Sequence, residues 1–214
     1  MNADNKTVTA HGFLGCNMYS YSLGNPINMV DTCGKDAIWI QESGSAGGMG
    51  HSGLMVQDSE GKWQYFYWGP NSEKVDPKLI VGVKHGAYIE EIDTYDADMT
   101  DTDVVKAVLK QASGNAKDRA DKVTQTFYFE GDYTATYIKA KAIVDGTDQY
   151  KLVSNNCVQK TIESFSASDK RFLHVGMGYG SIIPNNAATR VSLIPSKKEK
   201  TPWLLYMYNL LSKT

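Results

Sequence analysis

Strand-like runs crowd into residues 36–93 of this chain, and runs with helical spacing begin only after about residue 99. This segregation constrains the fold more than any other feature. Strands and helices in regular alternation would build a wound parallel sheet, whereas separate blocks build an α+β domain. Within the first block, residues 37–41 (AIWIQ) alternate, residues 53–56 (GLMV) form a compact apolar run, and residues 62–68 (KWQYFYW) carry the aromatic side chains that strands favour. Asp58-Ser59-Glu60-Gly61 separates the last two and predicts a hairpin turn. Residues 79–83 and 87–92 are further strand candidates.

The second block reads as helices. Thr100 and Thr102 are candidate caps for a helix carrying Val104, Val105, Val108, Leu109 and Ala112, which Ser113-Gly114-Asn115 ends. A second helix is predicted over 135–144, stopped at Asp145-Gly146. A third starts at Asn155 or Asn156 and places Val158, Ile162 and Phe165 on one face. Residues 171–214 return to short strands and loops punctuated by Pro184, Pro195 and Pro202. Residues 1–35 are rich in Gly, Asn and turn residues, with a turn at Gly24-Asn25-Pro26 followed by a short strand at 27–30.

At 214 residues there is material for one sizeable core. A formal net charge of −2 gives no electrostatic reason to expect nucleic acid or an anionic membrane as partner. The N-terminus lacks a basic start and an apolar core, so it is not read as a secretory signal. The apolar run at 203–211 is too short to span a bilayer, so no stable membrane insertion is expected. Cys16, Cys33 and Cys157 show no CxxC pairing, which disfavours a structural zinc site. A Cys16–Cys33 disulfide is open to the sequence and would leave Cys157 unpaired. The acidic stretch from Glu90 to Asp103 lacks the glycine and closing glutamate of a calcium loop and reads as a solvated loop plus helix cap. No GxxxxGK[ST], GxSxG or HExxH motif occurs.

Chemistry concentrates at two places. Asn155-Asn156-Cys157 puts a cysteine in the first turn of the third helix, where unpaired N–H groups and the helix dipole favour a thiolate. The same N–H groups could serve an oxyanion. Gly50-His51-Ser52-Gly53 sets a histidine at the head of an apolar strand, with small neighbours that leave room for a substrate chain. A strand histidine facing a helix N-terminus is what a Cys–His pair needs. Taken alone, each feature is more readily structural: most cysteines are buried packing residues, and a histidine after a glycine loop is commonly a surface residue. His11, His85 and His174 remain open as partners, although none heads so clear a strand. A third member would come from the strand at 63–68, which offers Gln64, Tyr65 and Tyr67, or from Asp58 and Asn71 at its ends. Tyr67, Tyr65 and Asn156 are the candidates for a third member or oxyanion support, and none is singled out.

Two resemblances follow from these motifs. Residues 17–37, with Asn25-Pro26-Ile27-Asn28 and Asp31…Gly34, resemble the end of the Rhs/YD-repeat-associated core domain, with Thr32 where that family has proline. Residues 50–70 (GHSGLMVQDSEGKWQYFYWGP) and 150–165 (YKLVSNNCVQKTIESF) resemble the permuted NlpC/papain-like cysteine hydrolases found as toxin domains behind such cores. The lecithin:retinol acyltransferase-like families share this His-before-Cys order. Residues 131–137 and 181–188 fit the look of those domains as pieces lining the cleft.

The resemblance implies a remnant of the core at 1–35 and, at 36–214, a circularly permuted papain-like fold: a central antiparallel sheet packed against helices. It implies Cys157 as nucleophile, His51 as base and no cofactor or metal. It further implies secretion or delivery into a target cell as part of a larger protein, hydrolysis of peptide or amide bonds in protein or peptidoglycan, and an immunity protein as partner. Deamidation, transglutamination or acyl transfer would use the same machinery. A non-catalytic binding module presenting the aromatic strand is the rival outside enzymology.

Overall fold

The computed structural model describes residues 35–71, 82–94, 97–177 and 183–197. The Rhs-like segment before Lys35, the candidate disulfide, His11 and the apolar run at 203–211 lie outside the described residues, as does most of the strand expected at 79–83.

β1 (Ala37–Glu42) and β2 (His51–Gln57) are buried along almost their whole lengths. That follows from their place in a five-stranded sheet ordered β5-β3-β2-β1-β6, with β3 spanning Trp63–Tyr67, β5 Tyr88–Ile92 and β6 Gln125–Phe129. Every pairing within it is antiparallel. One face sends Ala37, Trp39, Leu54, Val56 and Phe66 into a cluster with Val158, Ile162 and Phe165 of α3 (Cys157–Ser168). Ala140 and Ile143 of α2 (Thr134–Val144), and Ala187 and Val191 of α4 (Pro184–Val191), join it. The other face sends Ile38, Ile40, Met55 and Tyr65 against Val105, Val108 and Leu109 of α1 (Thr102–Gln111). A 3₁₀ segment, Lys117–Lys122, covers the same side through Ala120. With both faces covered, alternation along β1 separates two cores rather than core from water.

The molecule is therefore α+β with a central antiparallel sheet between helices. The hairpin between β2 and β3 closes as the sequence predicts. Asp58 Oδ1 accepts from the N–H of Glu60 at 2.8 Å and of Lys62 at 3.0 Å, and Gly61 takes φ +80°. The helices begin close to their expected starts, although Asp101, not a threonine, caps α1 by accepting from the N–H of Asp103 and Val104.

Two expectations need correction. Residues 171–214 were expected as strands and loops. Among those described, a 3₁₀ turn at Lys170–His174 and the helix α4 are present instead. Pro184 in the first turn of α4 is the signal that was available, since proline's fixed φ suits that position. β6, a strand not expected from residue patterning, lines β1 through pairs such as Trp39↔Phe127. Its alternating Thr-Phe-Tyr-Phe has the β-branched and aromatic make-up of a strand. A two-stranded ladder of β4 (Val83–Lys84) and β7 (Gln149–Tyr150) completes the described elements.

Candidate active site

Cys157 is the first residue of α3. Asn156 precedes it with extended backbone (φ −97°, ψ −179°) and closes a capping box: its side chain accepts from Gln159 N at 3.0 Å, and Gln159 Oε1 accepts from Asn156 N at 3.1 Å. Asn156 Nδ2 donates to Leu152 O at 2.8 Å. Both ends of this amide hold the turn before the cysteine, so Asn156 acts on the site by fixing where Cys157 stands. Trp68 Nε1 donates to Asn155 O at 3.1 Å and ties the same turn to the end of β3.

The sulfur is buried, with Cys157 only 3% exposed. Burial pushes the thiol up to about 11, while the backbone at Ser52 and Val158 pulls the other way. Thr161, one turn further along α3, donates its Oγ1 to Ser52 O at 3.3 Å and fixes the start of the helix against β2 at the residue after His51. Tyr150, carried by β7, belongs to the same buried cluster as Cys157, and the thiol adds to the rise that burial gives its hydroxyl.

His51 opens β2, paired in register with Glu42 at the end of β1. By alternation its side chain belongs to the face carrying Met55, whereas α3 lies on the face carrying Leu54. The imidazole and the helix that carries the sulfur thus lie on opposite faces of β2, at the end where the strand begins. The ring stacks on Tyr67 with centroids 4.8 Å apart. Nε2 is buried and makes no hydrogen bond among the described residues. Burial lowers the imidazole to about 4, Glu42 opposes this, and Arg119 and Lys122 reinforce it. Left to themselves, both groups are neutral near pH 7.

The loop feeding His51 is fixed by polar contacts. Gln41 Oε1 accepts from Ser52 Oγ at 2.9 Å, and Gln41 Nε2 donates to Asn185 Oδ1 at 2.9 Å. Asn185 Nδ2 in turn donates to Gly48 O at 3.0 Å and Ser43 O at 3.3 Å. Gly50 sits at φ +92° with Asn185 and Gln41 pressed against the position a Cβ would take. Asn185 lies in the 181–188 stretch expected to line the cleft, and it does border the loop before His51.

The proposed third members divide. Tyr67 is brought to His51. Tyr65 is fully buried beside Gly53, whose Cβ would lie 3.7 Å from the Tyr65 hydroxyl, and that hydroxyl makes no hydrogen bond among the described residues. Asp58 and Gln64 are hydrogen-bonded to each other at the opposite end of β2, roughly 23 Å along the strand from His51 at 3.3 Å per residue. Asn71, beyond the β3 end, donates its backbone N–H to Lys84 O. His85 stacks on Trp68 at 4.6 Å and His174 lies in the 3₁₀ turn after α3, whereas His51 directly precedes Ser52, which α3 contacts through Thr161. Sequence reasoning missed Glu42, Arg119 and Tyr150.

Among the described residues, no group of three or more His, Cys, Asp or Glu side chains is arranged to hold a metal, and no helix is long and apolar enough to cross a membrane. Comparison of the chain with known protein families, with curated proteins and with solved structures finds no match.

Proposed function

We propose that this chain is a circularly permuted papain-like cysteine hydrolase, acting as the delivered toxin portion of an Rhs-type protein, that cleaves peptide or amide bonds in protein or peptidoglycan. What supports the reading most is one placement: α3, with Cys157 as its first residue, is held against β2 at the residue that follows His51, where Thr161 Oγ1 donates to Ser52 O at 3.3 Å. His51, neutral near pH 7, takes the thiol proton as the sulfur attacks the substrate carbonyl. Backbone N–H groups at the head of α3 face the oxygen on which charge develops. Collapse of the tetrahedral intermediate leaves a thioester on Cys157 and expels an amine, which leaves with the proton from His51. Water, deprotonated by His51, then releases the acid and restores the thiol. The order of His before Cys, the antiparallel sheet and the helix over it agree with the motif resemblance. An immunity protein able to cover this end of β2 would be the partner.

Incubation with murein, with glutamine-containing proteins and with phospholipid, followed by product analysis, separates peptide or amide hydrolysis from deamidation, transglutamination and acyl transfer. The expected result is cleavage of an amide bond, lost in Cys157→Ala with an unchanged circular dichroism spectrum. Retained cleavage in that variant contradicts the proposal.

A further inference from the structure

On the face of the sheet opposite α3, the His51 ring is enclosed by charged and aromatic groups that the reaction scheme does not use. Glu42, wholly buried, stands directly across from His51 in the last pair of the β1–β2 ladder, where opposed side chains lie about 5 Å apart at Cβ. Arg119, from the 3₁₀ segment, donates through Nε to Glu42 Oε1 at 3.0 Å and through Nη2 to Oε2, and Ser45 Oγ donates to Oε2 at 2.7 Å. The same guanidinium lies 4.9 Å over the ring of Tyr67, whose ring is stacked on His51. One arginine thus grips both the carboxylate beside the imidazole and the aromatic ring against it. A buried ion pair adds little to stability over an apolar pair of the same size, so its presence beside a titratable ring calls for another reason.

We propose that Glu42 and Arg119 form a positioning pair for His51, holding the imidazole in place and setting its proton affinity through opposed charges. The inference rests on His51 as the base of the proposed reaction. Glu42 favours the imidazolium that forms when Cys157 gives up its proton, and Arg119 restrains that preference. The other titratable groups that face the ring are Tyr67 on β3, stacked on it, and Lys122 on the 3₁₀ segment; Tyr88 on β5 stacks on the far side of Tyr67, and Tyr65 on β3 lies beside Glu42 and Arg119. None of them stands in register with His51 as Glu42 does.

The test is an NMR titration of the His51 ring in the full chain, with its signal assigned by His51→Gln. Arg119→Met is expected to raise the His51 midpoint by at least half a pH unit. Glu42→Gln is expected to keep the ring neutral to the lowest pH at which the fold persists. Both variants lower Tm, so a merely structural pair would move stability together and leave the midpoint where it was. A midpoint in Arg119→Met that is unchanged or lower overturns the proposal. Should either single variant fail to fold, Glu42→Leu/Arg119→Met leaves neither charge orphaned. In that double variant Cys157 alkylation at pH 7 should slow at least fivefold, and an unchanged rate overturns the positioning role. Failure of the Cys–His reading would look different: Cys157 alkylation indifferent to His51→Ala, whatever the His51 midpoints do.

Discussion

His51 is a buried imidazole with a cost that depends on pH. Its proton affinity falls from 6.5 in the unfolded chain to about 4 in the fold, chiefly because burial disfavours the imidazolium. Above pH 6.5 both states are neutral and the group leaves stability unchanged. As pH falls from 6.5 toward 4 the unfolded chain takes up the proton first, and stability drops by up to about 3 kcal/mol. Urea unfolding at pH 7 and pH 4.5 should show this loss in the wild type and a shallower one in His51→Gln. Equal pH slopes would mean that the imidazole is not buried as described. That Cys157 opens a helix and His51 a strand was legible in the sequence because each carries a local signal: an asparagine cap before the cysteine, glycines around the histidine. Glu42, Arg119 and Tyr150 carry none. Glu42 and Arg119 meet across 77 residues of chain, and each reads in isolation as an ordinary polar or strand residue.

Elements place these residues, and their ends are where substitution tells most. Asn156→Ala removes the cap and the bond to Leu152, and should lower stability by about 1–2 kcal/mol. Because Cys157 follows the cap directly, its reaction with alkylating agents should slow in the same variant. A Tm drop with unaltered thiol reactivity would separate the helix start from the chemistry. Gly50→Ala forces a side chain into φ +92° and against Asn185, disturbing the loop that delivers His51. Loss of at least 1 kcal/mol is expected by denaturant unfolding. The early strands and α1 to α3 were readable from periodicity and caps. β6 was not, since its five residues sit between a 3₁₀ turn and a helix with no turn motif to frame them. α4 was not, since Pro184 read as punctuation where it in fact begins a helix.

At the scale of the molecule, helices on both faces leave the sheet's inner strands dry and put the site at one end of β2, not on an open face. α3 lies over one side, the tyrosine and ion-pair cluster over the other, and the start of β2 is where they converge. Segregation of strands from helices was enough to predict the α+β class. It could not tell that two cores flank the sheet, because AIWIQ reads the same whether one face or both are covered. The central claim is that the sulfur and the imidazole work as a pair across that strand end. Site-resolved iodoacetamide labelling of the folded full chain, read by peptide mass against pH, tests it most directly. The account predicts that Cys157 labels near pH 7 at a rate that His51→Ala lowers at least tenfold. Labelling of Cys157 only on unfolding, or at the same rate with and without His51, would contradict it.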